Sequence, residues 1–168
     1  MSVFIACNIP KNTILAIRDG MRSYQHVLAT SVPQEKWHCT ILFLGNIELS
    51  DEMKTILTQP IRQPFHCILT VLSLGQGQNK KQLWAYIQTQ QLLTSIRQEL
   101  IYRARIHEPK EFIPHINVGA LENQSDGRPI PDMPVKATWS VSELLLLQSN
   151  PNNPGALYEQ LGTIPITP

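Results

Sequence analysis

An apolar run over residues 2–8 reads as a strand, and behind it Ile14, Ile17, Met21, Tyr24 and Leu28 recur at helical spacing with Asn12 as the expected N-cap. After a loop at Pro33, residues 37–44 are rich in strand formers and stop at Gly45-Asn46, where turn chemistry takes over. The same order returns later. Residues 83–89 read as a strand, Leu92, Leu93, Ile96, Leu100 and Arg103 mark a helix, and residues 112–121 form another strand in which Pro114 sits near the start. Further apolar strands are expected at 65–74 and 138–148, a short helix at 51–58, and a closing strand at 158–164. Residues 75–81 and 122–136, with their glycines and prolines, read as the long loops. Two halves built on one plan imply an α+β domain over residues 1–168 made of two pseudo-repeat lobes, with no linker between them.

A chain of 168 residues with 42% hydrophobic content can bury one sizeable core. Its formal net charge of +1 excludes the broad basic surface that holds long nucleic acids through many phosphates, so a nucleic-acid partner would be gripped locally, at an end. No apolar stretch is long enough to span a bilayer, and the N-terminal run lacks the pattern of a signal peptide, so a cytoplasmic protein with no membrane partner is expected. Cys7, Cys39 and Cys67 are odd in number and widely spaced in strand-like segments, which reads as buried free thiols.

The chemistry concentrates on two of those strands. In His38-Cys39-Thr40 and in His115-Ile116-Asn117 the outer residues are two apart, so each polar pair shares one strand face while Cys39 and Ile116 turn to the other. One such pair alone is ordinary strand polarity. Repeated in two similarly built halves related by an approximate twofold, the pairs would line one cleft and set two imidazoles on either side of a ligand. Hydrolysis of a cyclic phosphodiester needs a base for water and an acid for the departing oxygen on opposite sides of phosphorus, and two histidines with a reference pKa of about 6.5 meet that need. Thr40 and Asn117 could donate to the nonbridging oxygens. His66 and His107 have no partner at metal-ligand spacing and His26 suits a helix end, so neither a metal site nor a cofactor is expected.

These residues carry a resemblance. The run His38-Cys39-Thr40-Ile41-Leu42-Phe43-Leu44-Gly45 and the run Phe112-Ile113-Pro114-His115-Ile116-Asn117 resemble the RNA 2′,3′-cyclic phosphodiesterase (LigT-like) branch of the 2H phosphoesterases. Val3-Phe4-Ile5-Ala6 with Ile9-Pro10, the Leu83-Trp84 strand, and Glu143-Leu144-Leu145-Leu146 with Ser149 and Tyr158 follow the same order. The resemblance implies a bilobal α+β fold, with antiparallel sheets lining a central cleft and helices outside. It implies His38 as the acid for the leaving oxygen, His115 as the base for water and a 2′-phosphate product, with Thr40 beside His38. It makes Phe4 and Phe112 the candidates for stacking on a base. RNA ends or nucleotides bearing a 2′,3′-cyclic phosphate are the implied partners, bound by a monomer with no obligate protein partner. The chain departs from the family at Asn117, where threonine or serine is usual, and at Leu42, Ile113 and Ala120, where basic residues are common. Two alternatives stay open: a 2H phosphodiesterase acting on 2′,5′-linked or other small cyclic phosphates, and a module that binds RNA ends or nucleotides without catalysis.

Overall fold

A computed structural model describes residues 1–63, 66–78, 81–88, 90–108, 111–122, 130–150 and 157–167. The strands are β1 (Val3–Asn8), β2 (Leu28–Ser31), β3 (His38–Gly45), β4 (Ile61–Arg62), β5 (Cys67–Gln76), β6 (Gln82–Ile87), β7 (His115–Leu121), β8 (Met133–Val141), β9 (Glu143–Gln148) and β10 (Glu159–Thr167). The helices are α1 (Lys11–Met21), α2 (Asp51–Leu57) and α3 (Gln91–Ala104). The strands run in the order β4-β10-β9-β1-β3-β7-β6-β5-β8, with β2 also on β7, and every pairing is antiparallel except β10 with β4. The two antiparallel sheets are therefore one path, joined where β3 meets β7 at the single pair Cys39↔Ile116.

Each side of that seam borrows a strand from the other half of the chain. β5 follows the first histidine strand yet pairs with β6, and β9 follows the second yet pairs with β1. Residues 138–148, expected as one strand, are accordingly two, broken at Ser142 and placed far apart in the sheet. The reason is a change of burial period. β8 is an edge strand whose residues alternate between buried and exposed, whereas Leu144–Leu147 in β9 are buried on both faces between β1 and β10. The irregular loop expected at 122–136 yields to β8 from Met133, its residues 123–129 lying outside the described residues.

The first helix also differs at both ends. Pro10, not Asn12, is the N-cap, and its carbonyl accepts from the Ile14 N–H at 3.0 Å. The helix stops at Met21, and Leu28 opens β2 against Leu121. Ser50 caps α2, its hydroxyl oxygen accepting from the Met53 N–H at 3.2 Å. Ile17, Met21, Leu57, Leu93, Ile96 and Leu100 from the helices join Val3, Ile5, Cys7, Cys39, Ile41, Leu69, Leu83 and Ile116 from the strands in one core on a single face of the sheet. A separate small cluster of Phe4, Ala6, Leu145 and Leu147, with Tyr158 against it, lies apart from that core. Ile116 is fully buried at the seam, so Ile116→Ala should cost about 2–5 kcal/mol in urea denaturation, and a loss under about 1 kcal/mol would show that the seam does not rest on it.

Candidate active site

The seam decides which way the site residues point. Cys39 and Ile116 are opposed and both fully buried toward the helices, so His38 and Thr40 on β3, and His115 and Asn117 on β7, project from the other face. Extending the antiparallel register by one residue in each direction sets Thr40 across from His115 and Asn117 across from His38. The histidines then occupy one diagonal of a square, about 7–8 Å apart at their backbones, and the two polar partners occupy the other.

Both rings are held by the same local bond. His38 Nδ1 lies 2.7 Å from the Lys36 carbonyl oxygen, and His115 Nδ1 lies 2.7 Å from the Ile113 carbonyl oxygen. A carbonyl only accepts, so each Nδ1 carries a hydrogen and each Nε2 is left as the atom that can give or take a proton. Pro114 supports this geometry on the β7 side by ending the ladder before His115, its carbonyl accepting from the Ile87 N–H at 3.0 Å.

Burial lowers the pKa of His38 below its usual value, against a raising effect of the Lys36 carbonyl, and the charge of His115 lowers it further. Burial likewise lowers that of His115, partly opposed by the Ile113 carbonyl. Both shifts favour the neutral imidazole near neutral pH. Asn117 Oδ1 is buried with no hydrogen-bond partner among the described residues, so Nδ2 is the end left to donate. The Thr40 side chain is half-buried and its hydroxyl has no hydrogen-bond partner among the described residues.

Aromatic rings wall both imidazoles. Phe4 and Tyr158 each stand 5.0 Å from the His38 ring centroid, Tyr158 edge-on at 88°. Trp84 stacks on His115 with centroids 3.6 Å apart and planes 14° apart. Phe4 is thus brought to the site, but only 5% exposed it backs His38 and offers no open face to a base. Phe112 packs against the main core with the Arg97 guanidinium 5.0 Å from its ring centroid. Sequence reasoning missed the roles of Tyr158 and Trp84. The signal for Trp84 was present in the alternation of Gln82, Trp84 and Tyr86 with Leu83, Ala85 and Ile87, which puts the first three on the face of Asn117 and His115.

The three cysteines are buried free thiols. Cys39 opposes Cys7 across β1 and β3, and a hydrogen bond with that thiol, together with burial, pushes the Cys39 pKa well above its ordinary value, so it is no nucleophile. Among the described residues no group of three or more histidine, cysteine or acidic side chains is placed to hold a metal, and no helix is long and apolar enough to cross a membrane. A cavity of about 620 Å³ between the end of α1 and residues 28–37 is lined by none of the site residues.

A sheet with its helices on one face and both histidines projecting from the other is a LigT-like α+β fold. Escherichia coli LigT complexed with NADP+ superposes with a TM-score of 0.77 at 23% identity, over 99% of this chain and 98% of that one. TT0787 of Thermus thermophilus gives 0.75 at 19% identity over 98% and 97%, and a crystal structure described as a phosphoesterase gives 0.71 at 23% over 99% and 98%. No protein-family model and no curated protein sequence matches the chain.

The lowered histidine pKa values fix a sign for stability. The unfolded chain takes up protons at about pH 6.5, before the folded one does, so this contribution is complete above that pH and is lost as pH falls through the lowered folded values. Urea midpoints should drop from pH 7.5 to pH 5, and the drop should shrink in a His38→Gln, His115→Gln double variant; an equal drop in both proteins would contradict the burial of these rings.

Proposed function

We propose that the protein hydrolyses 2′,3′-cyclic phosphates on RNA ends or nucleotides to a 2′-phosphomonoester by acid–base catalysis between His38 and His115. The observation that carries this reading is the pair of imidazoles set diagonally across the Cys39↔Ile116 seam, each with Nδ1 tied to the carbonyl two residues before it. It is supported by the LigT-like fold and by the fact that Escherichia coli LigT has been crystallised with 3′-AMP, with ATP and with phosphate.

In this mechanism the phosphate lies between the rings, and its negative charge offsets the burial that keeps them neutral, so His38 takes up a proton on binding. His115 Nε2 accepts a proton from water as the water oxygen bonds to phosphorus. The bond from phosphorus to the 3′ oxygen breaks, and His38 Nε2 supplies the proton that this oxygen needs. Thr40 Oγ1 and Asn117 Nδ2 donate to the nonbridging oxygens as charge grows on them. Two imidazoles fill both proton-transfer roles, so no metal is asked for.

Phosphorus NMR of a 2′,3′-cyclic nucleotide with protein and chelator should show conversion to the 2′-monoester. His38→Ala and His115→Ala should each lose ~10²–10⁴ in rate, and Thr40→Val ~10²–10³. Full turnover in the double histidine variant would overturn the reading. Tight binding of the cyclic nucleotide with no product would favour a binding module in its place, and faster turnover of a 2′,5′-linked dinucleotide would move the substrate.

A further inference from the structure

We propose that Trp84 is a positioning residue for His115, and that Gly77, in the connection between β5 and β6, keeps the indole where it is. The inference rests on the two-histidine reading of the site and assigns it a support outside the reacting groups. The stack is close, with centroids 3.6 Å apart and planes 14° apart. Only 8% of Trp84 is exposed, so its face is taken by His115 and is no platform for a base. The indole is anchored at its edge, where Nε1–H donates to Gln82 Oε1 at 3.1 Å. Gly77 is tied to the same residue, its N–H donating to the Gln82 carbonyl at 2.8 Å. A Cβ on Gly77 would lie 2.5 Å from Trp84 Cε2 and 2.8 Å from both Cδ2 and Nε1, distances that no side chain tolerates, so the indole fits only because residue 77 has none.

The chemistry of the contact follows from the ring. A π face attracts a cation, and tryptophan does so best. A base starts neutral and becomes an imidazolium as it takes the proton of water, so the indole contributes more in the transition state than in the ground state. It also fixes the plane of the imidazole, and with it the line along which Nε2 meets water. His38 has a looser arrangement, with its two aromatic neighbours at 5.0 Å and one of them edge-on. The two histidines therefore have the same backbone tether and different aromatic support.

The test uses Trp84→Leu, Trp84→Phe and Gly77→Ala. Leucine keeps hydrocarbon over His115 and removes the π face; phenylalanine keeps a face. NMR titration of both imidazoles and steady-state kinetics on a 2′,3′-cyclic nucleotide are the readouts. In Trp84→Leu the His115 midpoint should fall while that of His38 stays, and kcat should drop roughly 5- to 30-fold with KM little changed. Trp84→Phe should retain most of the activity. Gly77→Ala, which touches neither ring of the catalytic pair, should move His115 and kcat in the same direction by displacing the indole. If Trp84→Leu does not fold, Gly77→Ala and a partial effect in Trp84→Phe carry the test. An unmoved His115 midpoint and kcat in the variants that fold, or a change confined to KM, would overturn the proposal. The titration needs no turnover, so a wild-type protein inactive on cyclic phosphates would refute the functional reading and still leave the Trp84 contact to be decided.

Discussion

The structure depends on one contact between strands. β3 and β7 are neighbours at the middle of the sheet path and pair only at Cys39↔Ile116, with both side chains fully buried toward the helices. Strand geometry then leaves no freedom to the flanking residues. With Cys39 and Ile116 inward, His38, Thr40, His115 and Asn117 must face outward together, and an antiparallel crossing sets like against unlike, so the imidazoles take one diagonal. The hydrophobic seam and the polar square are two faces of the same six-residue crossing, and a one-residue slip of either strand would turn its histidine into the core.

This arrangement also explains the electrostatics. The aromatic walls and the sheet remove water from both rings, which lowers both pKa values, while the backbone carbonyls keep Nδ1 protonated and the tautomer fixed. The same burial that costs the folded state stability at low pH makes the protonation of one ring depend on what lies between them.

Much of this was legible in the chain. Apolar, strand-forming runs located β1, β3, β6 and β7, and the pairs His38/Thr40 and His115/Asn117 could be put on single faces by counting. What failed was everything that depends on which strands become neighbours. The continuous run at 138–148 concealed a strand switch, because Val141 and Leu145 are both buried and only their partners differ, β5 for one and β1 with β10 for the other. β2 was hidden because Leu28 continues the spacing of α1, and its pairing with Leu121 is a contact of long sequence separation. Phe112, a stacking candidate by the family resemblance, lies before the strand begins, with Arg97 over its ring. Trp84 and Tyr158 stood out in the sequence only by their place in the family's order, since no local pattern says that a ring will lie flat on an imidazole or edge-on to it.

The central claim is that one phosphate spans both rings, and histidine labelled with nitrogen-15 tests it most directly. On titration with inorganic phosphate, the Nε2 resonances of His38 and His115 should move together with one dissociation constant, each Nδ1 staying protonated. If only one ring responds, or the two respond with separate constants, the imidazoles do not share a phosphate and the account is contradicted.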